Sequence, residues 1–171
     1  FVNNTFVNNR LTAKSSSLSD KTNGGSAIYF KSGSGSLNLV NNTIVGNTDS
    51  CYTTSGVPSV NFNGSAVHVI SGKVRLVNNI IAGNFSSAAA AGEVYLGESA
   101  SLQNSTYNLY GGADRMNITA KSTDMVCRNY DRCVQDLQKV LDSEIVDGKL
   151  SLLLSDNGGF VPTVKVKSVA C

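Results

Sequence analysis

The chain has few of the residues that enzyme active sites and metal centres most often use. Its 171 residues include no Trp, one His, two Pro and four Cys. The single His68 and the spacing of Cys127 and Cys133 match no common zinc-ligand pattern, so neither a metal site nor another cofactor is predicted. Carboxylates are also scarce, because the first 92 residues contain only Asp20 and Asp49. Glycoside cleavage needs two carboxyl groups beside the bond, and no catalytic residue is predicted in this chain.

Charge is scarce as well, and the two signs nearly balance. Asp, Glu, Lys and Arg make up 15% of the chain, and the net charge of +2 comes from scattered residues. A nucleic-acid partner is therefore not expected, since such a partner requires a basic stripe. No run of about 18 apolar residues exists, so no membrane-spanning helix is predicted. With 41% hydrophobic residues and 16 Gly, the composition indicates one folded domain, neither disordered nor fibrous.

Asparagine, by contrast, is abundant, and much of it lies in a phrase that occurs three times. Asn4, Asn42 and Asn79 occupy the same place in the three copies, separated by 38 and then 37 positions. A second phrase, Gly followed by alternating apolar residues, runs in step with the first. A period of this length is typical of solenoid proteins, in which each repeat is one structural unit. The first phrase spans Val2–Asn9, Val40–Asn47 and Val77–Asn84, and the second spans Gly25–Phe30, Gly64–Val69 and, more weakly, Gly92–Leu96.

Each phrase alternates apolar and polar residues and ends in Asn or Gly, as a short β-strand bounded by turns does. Stacking one repeat on the next pairs equivalent strands about 4.8 Å apart and joins their inward side chains into one core. The sequence therefore predicts an all-β parallel solenoid of stacked coils over residues 1–112. Residues 113–171, where the phrases stop, are predicted to cap it as part of the same domain. The predicted core residues are Ile28, Phe30, Leu37, Leu39, Val67, Val69, Val74, Leu76, Val94 and Leu96.

The repeated asparagines are predicted to form hydrogen-bonded columns with one member per coil. Asn tolerates left-handed backbone and its amide both donates and accepts, so copies at one turn bond to those above and below. The first column contains Asn4, Asn42 and Asn79, with Asn104 as a candidate fourth member, and the second contains Asn9, Asn47 and Asn84. The spacing of 25 residues from Asn79 to Asn104 indicates that a bare coil needs about that length. Residues 11–24 and 48–62 are then loops, which either decorate the surface or bind a partner.

Three side chains at equivalent strand positions are the candidate binding residues. Since strand side chains alternate, Tyr29, His68 and Tyr95 point outward if the residues before them line the core. An outward aromatic column could stack on the apolar faces of sugar rings. The same column could instead only stabilise the sheet through cross-strand contacts. The sequence leaves both interpretations open.

The C-terminal region is predicted to contain one short helix and two strands that close the end of the solenoid. Apolar residues at helical spacing place the helix over Asp131–Asp142. The strands are predicted over Leu150–Leu154 and Val164–Val169, with a turn at Asp156–Gly159.

Four cysteines allow two disulfides in an oxidising compartment. Cys127 and Cys133 are close in sequence within the cap, and we expect them to pair. Cys51 and Cys171 can pair only if the tail folds back along the coils, which the sequence leaves open.

The repeat phrases resemble those of right-handed parallel β-helices of bacterial surface proteins. Gly24–Ile28 and Phe6–Asn9 are similar to the GGA-I and F-x-x-N motifs of the chlamydial polymorphic outer-membrane proteins. The tail at Leu153–Val164 resembles the L-x-DNGG-x-x-PT ending of choice-of-anchor β-helix proteins. The resemblance covers nearly the whole chain. It implies a right-handed parallel β-helix located at the bacterial cell surface or outer membrane, or secreted.

Two classes of function are compatible with this resemblance. The first is a non-enzymatic surface module for adhesion, glycan capture or docking to an outer-membrane complex, with a glycan or a surface protein as partner. The second is the C-terminal part of a carbohydrate-active enzyme, a polysaccharide lyase or glycoside hydrolase, with its catalytic coils upstream. The chain begins inside a repeat phrase at Phe1, without an initiating Met or a signal peptide. We therefore expect the C-terminal portion of a longer β-helix, whose first coil is covered by upstream coils or by another chain.

Overall fold

Three parallel β-sheets run through the computed structural model, and each takes its strands from successive sequence repeats. The structure describes residues 1–15, 24–53, 66–86, 92–112, 116–156, 163–165 and 167. The repeat region, residues 1–112, contains β1 (Thr5–Val7), β2 (Arg10–Ser15), β3 (Ile28–Val40), β4 (Thr43–Val45), β5 (Thr48–Thr53), β6 (Val67–Val77), β7 (Ile80–Ala82), β8 (Phe85–Ser86), β9 (Val94–Leu102) and β10 (Leu109–Tyr110), and β11 (Met125–Val126) follows it. The C-terminal region contains α1 (Tyr130–Val140), β12 (Ser143–Val146), β13 (Lys149–Leu152), β14 (Leu154–Ser155) and β15 (Thr163–Val164).

Apart from β11, the strands of each sheet come from equivalent positions of the repeats. The long-strand sheet has the order β3-β6-β9, the five-stranded sheet β1-β4-β7-β10-β11, and the short sheet β2-β5-β8. All neighbouring strands within these three sheets are parallel. In the five-stranded sheet Ile44 lies between Phe6 and Ile81, which hold the same place in each copy of the Asn-rich phrase. The prediction of an all-β chain with one short helix is confirmed. We call the set of strands that each repeat contributes to the sheets a layer, and the successive layers together the stack.

The main core is built from the long-strand sheet and the five-stranded sheet together. Leu39 and Leu76 of the first sheet and Ile44 and Ile81 of the second are fully buried in one apolar cluster. Eight of the ten predicted core residues are buried, and the other two, Phe30 and Leu96, are partly buried against them. Burying a large apolar side chain contributes roughly 1.5–3 kcal/mol, so these rows are the main source of stability.

Two segments predicted to be loops begin as strands instead. The predicted loops over residues 11–24 and 48–62 overlap β2 and β5, which pair in parallel along their whole length. Asp49, expected in a loop, lies in β5 and is buried. The prediction failed because these polar segments have little apolar alternation, whereas pairing with the next layer of backbone makes them strands. Residues 16–23 and 54–62 of the predicted loops lie outside the described residues.

Residues 116–126 cover the end of the stack. Met116 forms a parallel bridge with Val94, and β11 pairs with β10. The side chains of Met116, Ile118 and Ala120 are partly buried against the main core. This segment closes the core after the fourth layer.

The helix was predicted to close that end, but it lies against the side of the stack. Strand residues alternate between faces, so Ile44 and Ile81 enter the main core while Val45 and Ala82 face the other way. The five-stranded sheet is therefore apolar on both faces, and its second face needs a cover. We call α1 together with β12 and β13 the lateral cover. The second apolar cluster consists of Val45, Ala82, Cys133, Val134, Leu137, Leu150 and Leu152.

The turn after each strand of the five-stranded sheet decides how closely the lateral cover approaches. Asn8 and Gly83 occupy this turn in two layers, with φ of 57° and 68°. A Cβ atom at Gly83 would lie 2.8 Å from Leu150 Cδ2 and 2.9 Å from Leu137 Cδ1. Asn8, the copy with a side chain, donates from Nδ2 to the Leu152 carbonyl oxygen at 2.7 Å, and its Oδ1 accepts from the Leu152 N–H at 2.9 Å. The cover is thus joined to the first layer by a paired hydrogen bond.

The helix α1 lies close to its predicted range and has conventional ends. Asn129 is the N-cap, and its side chain accepts a hydrogen bond from Arg132 N at 2.9 Å. Lys139 Nζ donates to Asp136 Oδ1 at 2.7 Å, and this hydrogen bond holds the pKa of Asp136 below its usual value. Both side chains are exposed, so the pair contributes little to stability.

The predicted disulfide between Cys127 and Cys133 is confirmed, with Cα atoms 5.4 Å apart. Cys133 lies on the buried face of α1, and Cys127 directly follows β11. The bond therefore ties the lateral cover to the end of the stack. The other pairing, between Cys51 and Cys171, depends on side chains that lie outside the described residues.

A hairpin that was not predicted includes the first of the predicted C-terminal strands. β12 and β13 are antiparallel, and Asp147 and Gly148 between them have φ of 50° and 74°. Two successive positive φ values are typical of a type I′ turn. The strand predicted over Leu150–Leu154 is divided between β13 and β14, and β14 pairs antiparallel with β15. Residues 157–159 of the predicted turn lie outside the described residues.

Candidate functional site

The long-strand sheet brings Tyr29, His68 and Tyr95 into register on three neighbouring strands. Tyr29 is the partner of His68, and His68 is the partner of Tyr95. The ring centroids of Tyr29 and His68 are 5.8 Å apart, and those of His68 and Tyr95 are 5.0 Å apart. Distances of this size are those of interacting aromatic pairs. The three predicted residues do form one column.

The column is not the open aromatic strip that its strand alternation predicted. Tyr29 is 47% exposed and Tyr95 is intermediate, whereas His68 is fully buried. His68 lies in the middle strand of the sheet, between the rings of Tyr29 and Tyr95 on the two neighbouring strands. A ligand can reach the column only through its two tyrosines. The burial of His68 favours a cross-strand contact that stabilises the sheet over a continuous binding platform.

The first asparagine column runs through four layers and ends on a carboxylate. In every step the backbone N–H and the side-chain Nδ2 of one Asn donate to the same oxygen of the next member. The nitrogen-to-oxygen distances are 2.9 and 3.3 Å from Asn4 to Asn42, 2.9 and 3.1 Å from Asn42 to Asn79, 2.9 and 3.0 Å from Asn79 to Asn108, and 2.8 and 3.2 Å from Asn108 to Asp124 Oδ1.

The fourth member of this column is Asn108, not Asn104. Asn104 has a positive φ of 48°, but it lies in the turn before the column position. The residue that directly precedes the column position has φ of 54° at Asn78 and 59° at Tyr107. The bare layer is therefore 29 residues long, and the expected length of 25 was wrong. The alternation of Tyr107-Asn108-Leu109-Tyr110 matches the earlier phrases and could have identified Asn108.

The second column has the same construction in three layers and also ends on a carboxylate. Asn9 donates to Asn47 Oδ1 at 3.0 and 2.8 Å, and Asn47 donates to Asn84 Oδ1 at 2.9 Å from both nitrogens. Asn84 N then donates to Glu93 Oε1 at 3.3 Å, and Asn84 Nδ2 donates to Glu93 Oε2 at 2.6 Å. Glu93 is fully buried. Both columns therefore point the same way and finish on a group that only accepts.

A buried phenol lies beside the end of the first column. The Tyr110 hydroxyl is 3.1 Å from Ser105 Oγ, which also accepts a hydrogen bond from Asn108 Nδ2 at 3.2 Å. Burial raises the pKa of Tyr110 to about 12, and the negative charge of Asp124 acts in the same direction. The Ser105 hydrogen bond lowers the pKa of Tyr110, by less than burial raises it. Tyr110 is therefore a neutral core residue across the physiological pH range.

The carboxylates at the two column ends are engaged by the scaffold. Asp124 Oδ1 accepts from Asn108, and its Oδ2 accepts from the Lys121 N–H at 2.8 Å. Across the ranges that the structure describes, no three His, Cys, Asp or Glu side chains are grouped as a metal site would require. In the same ranges no helix is long and apolar enough to cross a membrane.

Comparison with known proteins adds no relationship to this geometry. The chain matches no family model, no curated protein and no solved structure.

Proposed function

We propose that the three sheets are the sides of a right-handed parallel β-helix and that the chain is a non-enzymatic adhesion module of a bacterial cell surface that captures glycans. The strand order supports the fold, because each sheet gains one parallel strand per repeat. Crossovers between parallel strands of one sheet are right-handed in about 98% of cases, which supports the handedness. The disulfide between Cys127 and Cys133 is consistent with an oxidising compartment outside the cytoplasm.

The proposal rests on which groups the acidic side chains of the stack bind. Glu93 and Asp124 are the acceptors that close the two asparagine columns. A glycosidase or lyase needs carboxylates that face a substrate, whereas these two bind the scaffold's own amides. The same columns fix the register of successive layers. This arrangement gives a rigid scaffold whose outer surfaces and turns are available for binding.

A glycan-array screen of the folded chain tests this function, with a heat-unfolded sample as control. We expect the folded protein to retain one or more glycans that the unfolded sample does not. Each retained glycan is then incubated with the protein and measured by mass spectrometry, and its length should stay unchanged. Shortening of a bound glycan would instead support a carbohydrate-active enzyme. A silent array would contradict glycan capture and favour a protein partner.

A further inference from the structure

An uncharged groove runs across the strands of the five-stranded sheet at the turn that precedes β4, β7 and β10. Its volume is about 420 Å³. The turn residues Asn41, Asn78 and Tyr107 line it, one from each of three layers. Beyond them Ile80 and Met125 form part of its floor, with exposed fractions of 39% and 68%. The groove therefore combines amides, a phenol and aliphatic surface, and none of the described residues that line it is charged.

Successive layers place these turn residues in line. Asn41, Asn78 and Tyr107 have φ of 56°, 54° and 59°, so the same left-handed turn is repeated along the stack. Asn78 Nδ2 donates to Asn41 Oδ1 at 2.8 Å. This bond uses Asn78 Nδ2 and Asn41 Oδ1, so Asn41 Nδ2 can donate to a ligand and Asn78 Oδ1 can accept from one. The groove thus offers polar groups at the strand spacing of about 4.8 Å.

Tyr107 is the exceptional member of this row. A left-handed φ is ordinary for Asn, which occupies the position at Asn41 and Asn78, but it is uncommon for a bulky aromatic residue. The Tyr107 side chain is also 65% exposed, so burial in the core does not compensate for the strained backbone. Strain of this kind is concentrated at binding sites.

We propose that the groove binds a neutral, linear polysaccharide laid along the stack, with Tyr107 stacking on one sugar ring and Asn41 and Asn78 hydrogen-bonding to hydroxyl groups. This inference rests on the proposed glycan capture and assigns it a site and a ligand class. The uncharged lining selects a neutral chain over an anionic one. A repeating ligand suits a groove that repeats its polar groups once per layer. The Tyr107 side chain has an apolar ring and a polar hydroxyl group, which match the apolar faces and polar edges of a sugar.

The test is isothermal titration of the folded chain with neutral hexose oligomers of increasing length, and with oligogalacturonate as the anionic counterpart. Tyr107→Asn is the informative variant, because Asn holds the same turn in the other layers and keeps the left-handed backbone. We expect Tyr107→Asn to weaken binding about tenfold, which corresponds to about 1.4 kcal/mol. Tyr29→Thr tests the competing site, because Tyr29 belongs to the aromatic column on the long-strand sheet that was the first candidate for binding. Binding in the groove predicts that this variant has the affinity of the wild type. Thermal unfolding of both variants checks that the fold is intact.

The outcomes separate this inference from the function on which it rests. Affinity should rise with oligomer length until the ligand spans the three layers. Preference for oligogalacturonate, equal affinity of Tyr107→Asn and the wild type, or loss of binding in Tyr29→Thr would overturn the groove while leaving glycan capture intact. A folded chain that binds no neutral oligomer would also overturn the groove as a glycan site. Glycan capture itself would be overturned only if the glycan array were silent as well.

Discussion

Asn84 donates a 2.6 Å hydrogen bond from Nδ2 to the carboxylate of Glu93, and both side chains are fully buried. The same relationship joins Asn108 to Asp124 at the end of the other column. An amide in place of either carboxylate would bring a donor to an accepting position, because Asn84 donates to both oxygens of Glu93, and Asp124 accepts from Asn108 on Oδ1 and from the Lys121 N–H on Oδ2. The two columns are thus directional, and each has one end that is chemically distinct from its middle.

Replacing a central member of the first column should be costly. Asn79→Ala removes the partners that the Asn79 side chain supplies to the Asn42 N–H and the Leu39 carbonyl, while Asn108 Oδ1 keeps its bond from the Asn79 N–H. A buried polar group without a partner costs about 1–3 kcal/mol. We expect the free energy of unfolding, measured by urea titration, to fall by about 3 kcal/mol. The neighbouring Asn78→Gly is the control, since Asn78 is exposed and Gly accepts its φ of 54°. Equal losses in the two variants would show that the column is not what stabilises the stack.

A methyl group at Gly83 should loosen the lateral cover. Its Cβ would meet Leu150 and Leu137 at less than 3 Å, and its φ of 68° disfavours any side chain. Gly148→Ala is a matched control, because Gly148 has a φ of 74° and no atom within 4 Å of an added Cβ. We expect Gly83→Ala to cost about 1–3 kcal/mol more than Gly148→Ala, and to increase hydrogen exchange in α1. If the two variants lose the same amount, the cost comes from the backbone and not from the packing of the cover.

Tyr110 should make the protein less stable at high pH. The ordinary pKa of tyrosine is 10.0, and that of buried Tyr110 is about 12, so the unfolded chain loses this proton first. The free energy of unfolding therefore falls as pH rises from about 10 to about 12, by roughly 3 kcal/mol at most. Tyr110→Phe should remove this part of the alkaline loss in urea titrations over that range. Tyr107→Phe, which removes an exposed tyrosine, should retain it, and a Tyr110→Phe chain with the full alkaline loss would contradict the assignment.

The Cys127–Cys133 disulfide should stabilise the lateral cover more than the stack. The two residues are six positions apart, and closing so short a loop contributes about 2 kcal/mol. The double variant Cys127→Ala/Cys133→Ala should show faster hydrogen exchange in α1, while β4 and β7 keep their protection. A uniform increase in exchange across both regions would mean that the cover and the stack unfold together.

The sequence predicts those parts of the fold that are repeated and fails where a repeat is replaced. The core rows and the columns through Asn79 and Asn84 follow from equivalent residues at a fixed period. Glu93 ends the second column at a position that has no asparagine, so the repeat of asparagines does not predict its role. The burial of His68 depends on neighbouring rings in three dimensions, which strand alternation alone does not determine.

The C-terminal region was predicted less well because it has no repeat to compare. Its helix was found from apolar spacing, but the face on which it packs was not. The predicted end cap overlooked that β4 and β7 are apolar on both sides, although Val45 and Ala82 show this in the sequence. The Asp147–Gly148 pair, between β12 and β13, was a readable turn signal that was missed.

The paired hydrogen bond between Asn8 and Leu152 joins residues 144 positions apart. Removing or inserting one layer would shift Asn8 by about 4.8 Å relative to β13, which is beyond hydrogen-bonding distance. The hydrogen bonds between β13 and Asn8 therefore form only when the number of layers between them is the observed one. Such a contact forms late in folding, because the long loop closes only after the intervening chain is in register. Docking of β13 on Asn8 would then follow the assembly of the layers between the two residues.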